Sequence, residues 1–275
     1  MINKLLRGSL MAATAMSVLA TPAQAVPADF AAKADAYLKS AYPADKPGVA
    51  VIVVDHGKIA YEAGRGMADV DAKRTITPDT VFRLGSITKQ FTSAVILQLA
   101  EEGKLSLSDP LSKYLPGYPK PGADVTITQL LNHTSGIKSY TAIPGFMSSG
   151  KIAQAFTTDQ LIAEFKDQPS DFAAGSKFQY NNSGYVLLGA VIEKVTGKPW
   201  HVAVDERISK PLGLTSIRYG ELEATTPKMA AGYSEDGGKV VPSRPIHMTV
   251  PHAPGALIGS VEDLPKWAEA LHKSK

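Results

Sequence analysis

Between Ser86 and Glu102 the apolar residues Ile87, Phe91, Ala94, Val95, Leu97, Leu99 and Ala100 cover much of a helical circumference. The segment therefore reads as a helix buried among other elements, not one lying on a surface. Gly103 ends it. Such a helix needs a core around it. A chain of 275 residues that is 44% hydrophobic and 20% charged can supply one, and that balance excludes a disordered or fibrous chain. Upstream, Pro27 to Tyr42 carries Phe30, Ala34, Tyr37, Leu38 and Ala41 at helical spacing. The β-branched run Val49 to Val54 turns through Asp55-His56-Gly57 into Lys58 to Glu62, which predicts a hairpin. A Pro-containing loop, Thr75 to Asp79, then delivers the chain through Val81-Phe82-Arg83-Leu84-Gly85 to the buried helix.

Downstream, residues 104–170 read as an all-helical insertion of short pieces such as Thr126 to Asn132 and Thr158 to Lys166. These pieces are broken by Pro110, Pro116, Pro119, Pro121, Pro144 and Pro169. Further helices are expected over Ser183 to Val195, stopped by Gly197, and over Pro199 to Ile208. A second hairpin is expected in Met229 to Val241, and a last helix over Val261 to Leu271 capped by Ser260. No repeat or linker interrupts the composition, so residues 26–275 read as one domain.

Residues 1–25 have a separate purpose. Lys4 and Arg7 precede an apolar stretch from Leu10 to Ala20, and Ala23-Gln24-Ala25 follows as a small-x-small cleavage site, which predicts a secretory signal peptide. The apolar run is shorter than the ~20 residues that span a bilayer. The cleaved chain is expected in the periplasm or outside the cell, nearly neutral and without a membrane anchor. With 29 Lys and Arg scattered evenly among 26 Asp and Glu, nothing builds a nucleic-acid groove. The absence of Cys removes disulfides, thiolate nucleophiles, cysteine-ligated metals and an acylated lipoprotein anchor, so the chemistry falls to oxygen and nitrogen.

Ser86-Ile87-Thr88-Lys89 places a hydroxyl and an amine three residues apart, on one face of the helix. The same spacing recurs at Ser135/Lys138 and Ser148/Lys151, but in Gly-containing loops. Only Lys89 sits where burial would favour the neutral, proton-accepting amine. Ser86 fits either an activated nucleophile or a helix N-cap. A serine nucleophile needs a base, and that base needs a partner to return the proton to the leaving group. Tyr180-Asn181-Asn182, the one Tyr-x-Asn in the sequence, offers a phenol and a carboxamide that can orient Lys89 and a substrate carbonyl. Its other reading is a turn with Asn182 capping the next helix. Ser86 at a helix start also presents its own N–H to a developing oxyanion.

These residues resemble the signature of the serine β-lactamase and penicillin-binding family: Ser-x-x-Lys, then Tyr-x-Asn or Ser-x-Asn, then a cation-x-Gly strand. The leading Tyr of the second element is similar to the class C β-lactamase branch, with its esterases, D-aminopeptidases and D-alanyl-D-alanine carboxypeptidases. Leu130 to Ile137, Tyr180 to Gly197 and Gly255 to Trp267 are also similar to segments of that branch. The resemblance implies an α+β fold, an antiparallel sheet flanked by helices plus an all-helical subdomain. It implies Ser86 as the acylated nucleophile, Lys89 and Tyr180 as the acid/base pair, and Asn182 as a substrate and lysine contact. The third element is not found after Asn182. Arg218-Tyr219-Gly220 has the letters but precedes Gly255 to Trp267, whereas the family places the element after that stretch. The resemblance thus implies a sequence truncated on its C-terminal side, without the sheet strands beside Ser86 and the second oxyanion donor they carry.

No phosphate loop or dinucleotide motif is present, Gly64-Arg65-Gly66 being only a turn signal. His247 and His252 read as loop histidines with no metal-binding spacing, and His133 as a local hydrogen-bonding residue, so no metal or organic cofactor is expected. The expected function is a serine hydrolase that forms an acyl-enzyme with a small-molecule or peptide substrate carrying an amide, lactam or ester carbonyl. The alternative is a catalytically silent module of the same fold that binds a peptidoglycan peptide or a partner.

Overall fold

The computed structural model describes residues 26–273. The signal peptide read over residues 1–25 lies outside the described residues. The fold is mixed α and β. Helix α1 (Phe30–Ala41) precedes the antiparallel hairpin β1 (Val49–Asp55) and β2 (Lys58–Arg65), and the small pair β3 (Met67–Asp69) and β4 (Arg74–Thr75) follows. Strand β5 (Phe82–Arg83) leads through a 3-10 turn, Gly85–Ile87, into α2 (Thr88–Glu101). Short helices α3 (Ile127–Leu131) and α4 (Thr158–Ala163) lie among 3-10 turns, then come α5 (Asn182–Thr196) and α6 (Trp200–Val204), which runs on into a π-helical turn at Asp205–Ser209. Strand β6 (Arg218–Tyr219), the hairpin β7 (Tyr233–Asp236) and β8 (Lys239–Pro242), α7 (His252–Gly255), β9 (Leu257–Gly259) and α8 (Leu264–Lys273) complete the described chain. Strand β9 is the centre of a three-stranded antiparallel sheet, with β5 on one side and β6 on the other.

Two apolar clusters hold these elements together. The larger is built on α2 and α5, which pack on each other and on α7. Every residue from Ser183 through Ile192 of α5 is buried, so this helix runs through the core as a pillar. Gly197 ends it in the left-handed conformation, φ 69°, which suits a residue without a Cβ. The smaller cluster joins Leu38 of α1 to Tyr61 and Ala63 of β2. Asp35 reinforces it by accepting from the Tyr61 hydroxyl at 2.7 Å and from Arg65 at 2.8 Å.

Several elements differ from the sequence expectation. Helix α2 is buried on most sides but exposes a stripe of Gln90, Leu97 and Glu101, positions spaced by seven and four, so Leu97 is not a core residue. Strand β2 runs three residues past Glu62. The last helix begins at Leu264, so Ser260 is not its cap, and its hydroxyl instead bonds the Ser216 hydroxyl at 3.1 Å. His252 is a buried residue of α7 and not a loop histidine. Its Nε2 lies 3.0 Å from the Thr158 hydroxyl, and burial pushes its pKa down to about 3.

The contrast between the two leucines of α2 gives a stability prediction. Leu99 is fully buried and Leu97 is 45% exposed. Leu99→Ala is expected to cost about 3 kcal/mol in urea unfolding, and Leu97→Ala less than about 0.5 kcal/mol. Equal effects would contradict the orientation of α2 described here.

Candidate active site

The path of the chain explains why Ser86 is presented. Strand β5 is pinned to β9, and Leu84 N–H adds a further bond to Leu257 O at 2.9 Å. Gly85 then turns with φ 52°, a conformation that strains any L side chain, and the 3-10 turn leaves Ser86 exposed while Lys89, one turn on, is buried. Ser86 is not an N-cap, because neither the 3-10 turn nor α2 has a side-chain cap. The hydroxyl is therefore free for other partners.

Four residues singled out in the sequence converge here. The Tyr180 hydroxyl is 2.6 Å from Ser86 Oγ, and Lys89 Nζ is 3.4 Å from the same oxygen. Lys89 also donates to Asn182 Oδ1 at 2.9 Å and to Pro254 O at 3.0 Å, and its Nζ stands 4.7 Å from the Tyr180 ring centroid. Burial is the main cause that lowers the Lys89 pKa below the ordinary lysine range, with Tyr180 acting in the other direction. The other two Ser-x-x-Lys pairs behave differently. Lys138 bonds Asp171 at 2.9 Å and Lys151 bonds Glu164 at 3.0 Å, so each of those amines is held by a carboxylate. Arg218 is exposed at the edge of the three-stranded sheet and donates to Thr215 O.

The tandem asparagines divide two tasks. Asn181, not Asn182, caps α5: its Oδ1 accepts from Gly184 N–H at 2.8 Å, and its Nδ2 donates to Ile137 O. Asn182 is thereby left for the site, with its amide fixed at both ends. Its Oδ1 faces Lys89, and its Nδ2 donates to the Thr141 hydroxyl at 3.0 Å. Ser139 supports this arrangement by accepting from Asn182 N–H at 3.2 Å and lying 3.0 Å from the Thr141 hydroxyl.

The sequence reading missed Ser139, Thr141 and the Pro254 carbonyl. The hydroxyls follow directly after Leu130 to Ile137, which was legible as a segment but not as a support. The carbonyl is invisible because any residue has one. Structurally the segment is one side of a clasp. His133 O accepts from Gln179 N–H, Thr134 O from Gly175 N–H and Gly136 O from Asp171 N–H, at 3.0, 2.8 and 2.8 Å, so residues 133–136 grip the loop that carries Tyr180. Gly136 has φ 71°, and a Cβ there would stand 2.0 Å from Phe172 O, so only glycine allows this approach.

Burial of Lys89 predicts a pH-dependent stability. Between its lowered folded value and the ordinary 10.5, the unfolded chain holds the proton that the folded chain has released. The unfolded state thus binds more protons in that window, and stability rises with pH across it. Urea titrations of wild type and Lys89→Met should show the wild type gaining on the variant as pH rises through the window. A difference that stays flat with pH would contradict the desolvated amine.

The family model described as Beta-lactamase matches residues 34–275. Among curated proteins, Esterase EstB of Burkholderia gladioli is 34% identical over 225 residues, covering 77% of this chain and 56% of that protein. Protein flp of Staphylococcus aureus (strain COL) is 33% identical over 227 residues, covering 80% and 44%. Among solved structures, the octameric penicillin-binding protein homologue from Pyrococcus abyssi is similar with a TM-score of 0.74 and 32% identity, over 88% of this chain and 56% of that one. The D-amino acid amidase from Ochrobactrum anthropi SV3 complexed with L-phenylalanine amide is similar with a TM-score of 0.68 and 27% identity, over 81% and 63%. The chain spans about half the length of these curated relatives.

Proposed function

The chain belongs to the beta-lactamase family, and from that premise we propose that it is a serine hydrolase working through an acyl-enzyme on Ser86, with an ester, lactam or amide carbonyl as its target. The observation that carries this reading is the convergence of the Tyr180 hydroxyl and Lys89 Nζ on one serine oxygen. Lys89 has two short contacts, to Asn182 Oδ1 and Pro254 O, and its longest is to Ser86. A neutral amine has two hydrogens and one lone pair, so the short contacts use the hydrogens and the lone pair is left for the serine proton.

In the first step Ser86 Oγ loses its proton to the Lys89 and Tyr180 pair and bonds the carbonyl carbon. The negative charge moves to the carbonyl oxygen, where the Ser86 N–H in the 3-10 turn leading into α2 can stabilise it. Collapse breaks the bond to the leaving nitrogen or oxygen, which takes the proton back through Tyr180. Water then attacks the Ser86 ester, gives up its proton to the same pair, and releases the acid. The Asn182 amide, held by Thr141, orients Lys89 throughout and can contact the substrate. The relatives named as an esterase and as a D-amino acid amidase support an ester or amide carbonyl.

A fluorophosphonate probe and a fluorescent penicillin test the reading. Ser86 is expected to be labelled, Ser86→Ala to lose all labelling, and Lys89→Ala to lose at least ~100-fold in labelling rate while keeping its melting transition. Labelling that survives in Ser86→Ala would take the nucleophile away from Ser86, and no labelling of the folded wild type would replace the hydrolase with the silent binding module.

We also place the protein in the periplasm or outside the cell, with cleavage after Ala25. Val26 N–H lies 3.1 Å from Asp55 Oδ2, so the α-ammonium created by cleavage would meet a carboxylate. Mass spectrometry of the exported protein should find Val26 as its first residue. An intact Met1 would contradict this placement.

A further inference from the structure

Tyr180 does its work from an irregular loop. Residues 177–181 have no helix or strand, the Tyr180 side chain is 46% exposed, and the nearest regular element begins only at Asn182. Something must hold the phenol within 2.6 Å of Ser86. The contacts of this loop lead to His133. Its Nδ1 accepts from Asn181 N–H at 3.1 Å and its carbonyl accepts from Gln179 N–H at 3.0 Å, so one residue grips the backbone on both sides of Tyr180. Its ring centroid lies 4.7 Å from that of Tyr180 and 5.2 Å from that of Tyr185, and Phe178 meets it edge-on at 5.8 Å. His133 adopts φ 62°, a conformation that costs a side-chain-bearing residue and persists only where its surroundings enforce it.

We propose that His133 is the positioning residue for Tyr180, and that it acts only as a neutral imidazole whose unprotonated Nδ1 accepts the Asn181 N–H. This rests on the reading of Tyr180 as a proton-transfer partner of Ser86. A backbone N–H can only donate, so the bond requires the tautomer with its proton on Nε2. A protonated ring has two donors and no acceptor. It would lose Asn181 and set a positive charge among groups that offer it no counter-charge. The charged and titratable groups facing the ring are Lys89 from α2, Tyr180 from its own loop and Tyr185 from α5. None is a carboxylate that would stabilise the cation. Burial is the main cause that holds the His133 pKa below the ordinary histidine value. The clasp is thus closed at neutral pH and opens on acidification.

The test follows acylation of Ser86 by p-nitrophenyl acetate between about pH 4 and 9 in wild type, His133→Phe and His133→Asn, with melting curves of each. His133→Phe keeps a ring against Tyr180 but cannot accept from Asn181, and it is expected to slow acylation about 10- to 100-fold with KM changed less than about 3-fold. His133→Asn tolerates the positive φ and offers an acceptor oxygen. It is expected to recover the rate to within about 3-fold at neutral pH and to show a shallower fall in rate on the acid side than the wild type, because only the base at Ser86 and no longer residue 133 titrates there. A His133→Phe rate within about 2-fold of wild type, or an acid limb in His133→Asn as steep as that of the wild type, overturns the proposal. If folded wild type proves unreactive, the acyl-enzyme reading fails separately, and His133 is decided without activity. Its imidazole nitrogens should show the Nε2–H form at neutral pH, and hydrogen exchange of Asn181 N–H should accelerate as the ring protonates. A cationic His133 at pH 7, or an Asn181 exchange rate indifferent to that titration, overturns the proposal.

Discussion

One buried amine sets the terms for this molecule. Lys89 is 6% exposed, has no carboxylate among its hydrogen-bond partners, and meets an amide oxygen from α5, a main-chain oxygen from α7 and the hydroxyl of Ser86 in the 3-10 turn before α2. An ammonium ion in that setting keeps little of its hydration, and desolvation biases it toward the neutral amine. The three helices cannot move independently without leaving it unsatisfied. Their packing has a further tie beside it, because the Thr92 hydroxyl donates to Ala253 O at 2.8 Å. The strongly apolar α5 then serves two ends, since the helix that fills the core also fixes Asn182 opposite Lys89.

What the sequence made legible follows the range of each interaction. The β1–β2 hairpin, the start of α5 after Tyr180 and its stop at Gly197 are local signals of alternation, capping and glycine, and they appear where expected within a few residues. The meeting of Ser86 with Tyr180, 94 positions away, came from a motif resemblance. Periodicity by itself had no means of indicating it. What stayed open or went wrong had two sources. Ser86 and Asn182 were each open to a capping role, and the decision depended on neighbours: Asn181, the residue just before, takes the α5 cap. Leu97 and His252 were misplaced because burial depends on what packs against a position, and a helix with apolar residues on every side does not announce which stripe stays wet. Thr141 and Pro254 could not be found, since a supporting hydroxyl and a backbone carbonyl carry no pattern of their own.

The relatives fit this division between a rigid frame and a variable task. Proteins named as an esterase, a D-amino acid amidase and a penicillin-binding protein homologue share 27 to 34% of aligned residues with this chain. The fold leaves the Ser86 hydroxyl exposed and buries Lys89 beside it, while the surroundings of that hydroxyl are set by loops. In this chain the loop bearing Tyr180 is restrained from outside by residues 133–136.

That restraint has a mechanical side. At Gly136 the main chain lies so near Phe172 that not even a methyl group fits between them, and Asp171 N–H is bonded across the same gap. A joint with no slack does not cushion movement. Lys177 stands 4.9 Å over the Phe172 ring on the outer face of this joint, so the contact between the two backbones is closely packed on its outer side as well. Substitutions on the outer face of the clasp thus bear on the same tight joint that holds the Tyr180 loop.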